Sequence, residues 1–315
     1  MVRECNPDYL QLCVEIAFLR NNQPENNSAY CPKSKKGIQA DFEFIMGNPN
    51  CLMVGYFDSD TLKGIMGCFM NPDNKWVDCV GPYFSDEYSE DAVVNMFDFA
   101  KSKLANAERF NFNFDTRNEN LHQLMGLLSA KRNDNEYRLL LSKADYKPQQ
   151  LMHNVVSYND RFESDVIQIL HDTFPDSYIS GRELIDSIGK DREVFCALND
   201  NDVFVGYGVL KRHEAHPEQM TAEIFAVHEG ERGKGYGWAL LNAVVGCALN
   251  NLGADTIDLI VDRLNTHARD LYYSCGFKLI VENSAYCIMN KSSQGGEYAD
   301  KYTCLKTLSE KCNVY

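Results

Sequence analysis

The residues of this chain whose types and spacing best suit chemistry are Arg232, Gly233, Lys234, Gly235, Tyr236 and Gly237, which run consecutively. A bound diphosphate needs several backbone N–H groups converging on one point, an approach unobstructed by Cβ atoms, and a helix N-terminus behind them. The three glycines supply the approach. Apolar residues up to Val227 read as a strand and those from Gly235 as a helix, so the run forms a strand-to-helix turn to which Arg232 and Lys234 add positive charge. Taken alone, such a turn could equally be a flexible loop. A second pattern follows one strand later: Asn265, Ala268, Leu271, Tyr272, Gly276 and Phe277 read Asn-x-x-Ala-x-x-Leu-Tyr-x-x-x-Gly-Phe.

Together the two runs resemble the GNAT superfamily of N-acetyltransferases. Its pyrophosphate motif, Arg/Gln-x-x-Gly-x-Gly/Ala, is matched by Arg232, Gly235 and Gly237, and its second cofactor motif by the Asn265 to Phe277 pattern. The resemblance implies an α/β (α+β) fold, a twisted mixed β-sheet flanked by helices, whose two central parallel strands splay to admit the pantetheine arm of acetyl-CoA. It also implies direct attack by a primary amine on the thioester, without an acyl-enzyme.

On the same resemblance, Tyr272 donates a proton to the departing sulfur. A phenol, with a reference pKa of about 10, stays protonated at rest and outlasts a thiol. Cosubstrate contacts fall on Val227, Arg232, Gly233, Lys234, Gly235, Tyr236, Gly237, Asn265 and Tyr272, with Val227 at the splay and backbone near it polarising the thioester carbonyl. Asn265, at a helix start, suits a cap equally well. The amine's proton must reach a carboxylate or water. Glu223 lies on the strand leading into the loop, and two-residue alternation puts it on Val227's face, which makes it the candidate base. Superfamily glutamates more often stand two residues earlier, where this chain has Thr221, so a solvated strand charge is the other reading. His228 is expected at the surface, His213 and His216 in a loop, Arg269 at a phosphate or in solvent, and Tyr273 in the core.

The elements that must position these residues follow from periodicity. Helical spacing predicts a helix from Phe162 to Phe174 and a shorter one after Ser180. A hairpin is expected from Val194 to Leu198 and Val203 to Leu210, then a strand to Val227, the loop, a helix stopped by Gly253, a strand at Thr256 to Val261 and a helix from Thr266 to Cys275. The first half repeats this order: a hairpin from Leu52 to Phe69, a strand at Trp76 to Val80, a helix around Ala92 to Leu104, a strand at Phe110 to Phe114 and a helix from Asn118 to Leu128. Val80 and Val227 are 147 residues apart, as are Asp115 and Asp262, and Asn118 and Asn265. Two GNAT-like domains are therefore expected: a degenerate one at 1–147, a catalytic one at 148–291, and a tail or last strand at 292–315, with Tyr302 to Leu308 as that strand or a docking segment.

The first half serves as a control. The spacing of 147 sets Ser85, Asp86, Glu87, Tyr88, Ser89 and Glu90 against the glycine loop and Met125 against Tyr272. No glycine remains, three acidic residues would repel a pyrophosphate, and methionine donates no proton. That half is expected not to bind coenzyme A in this way, and to buttress the other or shape its acceptor groove.

Composition narrows the partners. The formal net charge of −14 disfavours a nucleic-acid partner. No apolar stretch has membrane-span length and the first residues lack a signal-peptide core, so a cytoplasmic protein without membrane insertion is expected. The 12 cysteines have no C-x-x-C pair and no histidines at zinc spacing, so reduced thiols and no metal are expected. The expected activity is N-acetyl transfer from acetyl-CoA to a small-molecule or peptide amine. The alternative is a noncatalytic acyl-CoA-binding or regulatory module; acceptor, acyl length and oligomeric state stay open.

Overall fold

The structure, a computed structural model, describes residues 1–71, 75–150, 152–175, 177, 179–213 and 217–290. The expected strand at Tyr302 to Leu308, and His216, lie outside the described residues. The described residues divide into two compact units, the first holding those of 1–136 and 282–290, the second those of 137–281. Residues 137–147 thus belong with the second unit and 282–290 with the first, whereas the sequence division placed each segment in the other half.

Unit 1 contains β1 (Val2–Glu4), α1 (Leu10–Asn21), α2 (Lys35–Gly47), β2 (Cys51–Asp58), β3 (Thr61–Met70), β4 (Trp76–Phe84), α3 (Glu90–Lys103), β5 (Arg109–Asp115), α4 (Glu119–Leu127) and β6 (Lys131–Arg132). Its sheet runs β1-β2-β3-β4-β5 and continues with residues 283–289 of β13 (Lys278–Met289). All its neighbours are antiparallel except β4 and β5. Both faces are covered, so the central strands are largely buried, β4 and β5 with polar residues such as Asp78 and Asn111 among the apolar ones. Leu52, Val54, Met66 and Phe112 pack on one face with Val93, Met96, Phe97 and Ala100, the helical stripe of α3. Met53, Phe57 and Ile65 pack on the other with Ile38, Phe42 and Ile45 of α2.

Unit 2 contains β7 (Glu136–Ser142) from Tyr137 on, β8 (Asn154–Ser157), α5 (Glu163–Thr173), α6 (Gly181–Ser187), β9 (Arg192–Leu198), β10 (Phe204–Arg212), β11 (Gln219–Val227), α7 (Tyr236–Gly246), β12 (Thr256–Asp262), α8 (Thr266–Ser274) and the start of β13. A single π turn, Cys247–Asn251, extends α7. The strand order is β7-β12-β11-β10-β9-β8. β11 and β12 are parallel and pair only from Gln219 opposite Thr256 to Thr221 opposite Asp258. Beyond Thr221 the two central strands separate, as the splay requires. Leu241, Val244 and Val245 of α7 pack on one face against Leu139, Leu141 and Leu259, and Val166, Ile169 and Leu170 of α5 pack on the other against Val194, Tyr207 and Val209.

The spacing of 147 survives for β5 against β12 and α4 against α8, each pair having equal length. It fails for the strand before the loop. Trp76 faces Arg109 while Gln219 faces Thr256, so β4 corresponds to β11 at a spacing of 143. Phe84, not Val80, matches Val227. Most of the difference is taken up in the turn that follows, which spans 85–89 in unit 1 and 228–235 in unit 2, and the rest between the start of the next helix and β5 or β12. The ten cysteines among the described residues are free thiols.

Candidate functional site

β11 ends at Val227, and after one short 3-10 turn, Glu229–Glu231, the chain passes through Arg232, Gly233, Lys234 and Gly235 into α7. Gly233 has φ +78° and Gly235 φ +95°, which side chains rarely tolerate. Gly235 is the N-cap of α7, and no side chain caps that end. By contrast Ser34, Ser89, Asn118, Ser180 and Asn265 cap α2, α3, α4, α6 and α8 with their own oxygens. α1 and α5 also start without a side-chain cap, but in α7 the uncapped N–H groups and the positive end of the dipole follow a glycine turn, an arrangement suited to an anion. At Gly237 a Cβ would reach only ordinary contact, 3.6 Å from Leu271 Cδ2, so packing within the chain does not demand glycine there. Lys234 Nζ pairs with Glu231 at 2.9 Å and Arg232 Nε donates to the Val227 carbonyl at 3.1 Å. With these cations engaged, backbone geometry is the loop's main feature for an anion.

His153, which no sequence pattern marked, also belongs to this loop. Its Nε2–H donates to the Lys234 carbonyl at 2.8 Å, and its ring lies 4.2 Å from that of Tyr236.

Tyr272 sits on the last turn of α8, half-buried, its ring 6.0 Å from Phe277. Burial, with a smaller contribution from nearby Cys275, pushes its phenol up to about 12, so it holds its proton firmly. Asn265 acts as the cap of α8, its Oδ1 accepting the Ala268 N–H at 3.1 Å. Arg269 is bound within its own unit, donating to the Arg263 carbonyl at 2.7 Å and lying over the Tyr137 ring. Tyr273, expected in the core, is 40% exposed, on a helix none of whose residues is fully buried.

Glu223 differs most from its sequence expectation. Val209 faces Ile224 and Leu210 faces Ala222, leaving Glu223 as the extra residue of a β-bulge. A bulge reverses the alternation, so Ala222 packs with the α7 core and Ala226 with the α5 core. Glu223 consequently lies on the α5 side with Arg192 and Lys211, while Val227 packs toward Tyr236 and Leu240. The shared face expected from strict alternation is not formed. The Glu223 carboxylate, 3% exposed, accepts from Arg192 Nε at 2.7 Å and Nη2 at 3.1 Å and lies 3.6 Å from Lys211 Nζ.

Next to it, His213 is buried rather than in an open loop. His213 Nε2 donates to Thr221 Oγ1 at 3.0 Å, and Thr221 donates to Asp258 at 2.7 Å. Arg138 closes the cluster at 2.6 Å from Asp258. His228 is exposed, edge-on to Phe204.

The corresponding turn of unit 1 has the opposite polarity. Arg20 donates to the carbonyls of Phe84, Ser85 and Asp86 at 2.7, 2.8 and 2.9 Å, so carbonyl groups converge there on a cation. Ser89 caps α3, and Glu90 and Asp91 occupy its first turn. Met125 stands at the position of Tyr272 and is buried. The gap between β4 and β5, past their last pair of Cys79 and Phe112, is bridged by the chain itself. Ser28 Oγ accepts the Gly81 N–H at 2.8 Å, Ser28 bridges Phe114, and the Ala29 N–H donates to the Asn113 carbonyl at 2.8 Å.

Among the described residues no group of three or more His, Cys, Asp or Glu forms a metal site, and no helix is long and apolar enough to cross a membrane.

Residues 163–277, all within unit 2, match the family model described as the Acetyltransferase (GNAT) family. No curated protein matches the chain. Among solved structures, a GCN5-related N-acetyltransferase from Sphaerobacter thermophilus is similar at 12% identity and TM-score 0.75, over 92% of this chain and 95% of that one. A tandem GNAT protein from the clavulanic acid biosynthesis pathway is similar at 10% identity and TM-score 0.70, over 92% and 98%. A glucosamine N-acetyltransferase region of a fungal multi-domain β-N-acetylglucosaminidase is similar at 12% identity and TM-score 0.71, over 91% of this chain and 38% of that one. At these identities the likeness is one of fold. With the family match at 163–277, an uncapped glycine turn behind a splayed parallel pair and a tyrosine on the following helix, this chain carries a domain of the GNAT acetyltransferase family, whose members are generally acyltransferases.

Proposed function

We propose that unit 2 transfers an acetyl group from acetyl-CoA to a primary amine of a small molecule or peptide. The observation that carries this is the glycine-capped N-terminus of α7, offered to an anion inside the segment that matches the acetyltransferase family. Acetyl-CoA supplies an activated thioester, which the amine nitrogen attacks directly as the C–N bond forms and the C–S bond breaks. Gly233, Gly235 and Gly237 admit the pyrophosphate to the backbone, Arg232, Lys234 and Tyr236 flank it, and Val227 borders the pantetheine arm at the splay. Asn265 contributes by fixing the start of α8, which carries Tyr272. Tyr272 gives its proton to the departing sulfur.

The amine's proton leaves to water. Glu223, held by Arg192 and Lys211, can take it only by breaking a buried ion cluster. Its task is to fix the bulge of β11. Unit 1 holds no cosubstrate. The net charge of −14 favours an amine over a polyanion as acceptor, and a cytoplasmic setting fits the free thiols.

The test is release of free thiol from acetyl-CoA across a panel of small amines and peptides. Turnover with one class supports transfer. Tight binding of acetyl-CoA with no release from any amine overturns it in favour of a noncatalytic acyl-CoA-binding module.

A further inference from the structure

His153 precedes β8 and is far in sequence from the glycine turn, yet its imidazole bonds the backbone of that turn. The Lys234 carbonyl can only accept, so the 2.8 Å contact fixes the proton on His153 Nε2. In a trans peptide the carbonyl and the following N–H point in opposite directions. Holding the Lys234 carbonyl toward His153 therefore aims the Gly235 N–H away from it. The contact is tight on both sides: a Cβ at Gly235 would stand 3.0 Å from His153 Nε2, and the imidazole leans on Tyr236 at 4.2 Å and 39°. Gly235 also takes φ +95°, a conformation glycine leaves easily when nothing holds it.

We propose that His153 is a positioning residue for the anion cradle, fixing the Lys234–Gly235 peptide so that its N–H meets the pyrophosphate of an acyl-CoA. The inference rests on the acyl-CoA reading of this loop and adds to it the group that sets its geometry. His153 touches the loop rather than the reacting atoms. Its removal is felt in cosubstrate binding, through a part of the cosubstrate that can be deleted.

The experiment compares wild type, His153→Phe, which keeps a ring on Tyr236 but loses the donor, and His153→Gln, which restores an N–H near the Nε2 position. Affinity for coenzyme A is measured by titration calorimetry, and kcat/KM is measured with acetyl-CoA and with S-acetyl-pantetheine, which lacks the pyrophosphate. Loss of one hydrogen bond to the loop is expected to weaken coenzyme A binding about five- to tenfold in His153→Phe. The loss should appear in KM for acetyl-CoA with kcat kept, be absent with S-acetyl-pantetheine, and be largely reversed in His153→Gln. Unchanged coenzyme A affinity in His153→Phe, or an equal loss with both donors, overturns the inference while leaving acyl transfer intact. If wild type binds no coenzyme A, the acyl-CoA reading itself falls, and the inference with it.

Discussion

Ser28 Oγ and the Gly81 N–H are 2.8 Å apart, a hydrogen bond that joins the α1–α2 connection to β4 just beyond the point where β4 and β5 cease to pair. Asn21 holds the same connection from inside. Its Oδ1 accepts from Ser28 N–H at 2.9 Å, Asn27 Nδ2 at 3.1 Å and Tyr83 Oη at 3.0 Å. Unit 1 thus bonds the backbone beyond its last β4–β5 pair with its own chain, where unit 2 is proposed to admit a pantetheine arm. One coenzyme A per chain is the expected stoichiometry by titration calorimetry; two would contradict the asymmetric assignment. Ser28→Ala, which leaves a buried amide unsatisfied, is expected to cost about 1–3 kcal/mol in denaturant unfolding without changing that affinity.

Gly235 combines positive φ with a close neighbour, so Gly235→Ala carries a strain of about 1–2 kcal/mol before contact with His153 is counted. Coenzyme A affinity is expected to fall about tenfold or more. At Gly233 nothing lies within 4 Å of the added Cβ, so Gly233→Ala bears only the conformational cost and should lose less. Measured dissociation constants in the reverse order would remove His153 contact as the reason.

Tyr272→Phe is expected to lower kcat by about 10²-fold or more, the loss of a positioned acid, with coenzyme A affinity retained. The phenol is pushed up to about 12, above its unfolded value of about 10. Both states are protonated below pH 10, so its contribution to stability is complete there and is lost as pH rises from 10 toward 12. In kcat/KM it should cause no alkaline fall at pH 10, where an ordinary phenol would be half ionised. A fall centred there, absent in Tyr272→Phe, would show an unperturbed acid.

Glu223→Ala uncovers the charges of Arg192 and Lys211 in a buried place and is expected to destabilise by about 3–5 kcal/mol. Glu223→Gln should change the melting temperature while leaving the acid limb of the kcat/KM profile in place. Loss of that limb at unchanged stability would restore Glu223 as the base.

What the sequence could say about this protein was local. The glycine run, the Asn265 to Phe277 pattern and the 3.6- and 2-residue periods depend on neighbours in the chain, so they located β11, α7, β12 and α8 within a few residues. The equal lengths of β5 and β12, and of α4 and α8, come from the same local signals. Contacts between distant residues decided the rest. The bulge at Glu223 exists because Val209 and Leu210 pair across it, and one extra residue reverses every face that simple alternation assigns. The spacing of 143 for the strand before the loop is fixed by hydrogen-bond partners. The grouping of 137–147 with unit 2 and of 282–290 with unit 1 follows from contacts between distant residues as well. His153, 81 residues before Lys234, has no periodicity or motif to announce it. The run Arg232 to Gly237 determined which anion chemistry is open to this chain, and the tertiary contacts of a histidine and a bulged strand decided how that chemistry is held, because hydrogen-bond geometry is settled only when remote segments meet.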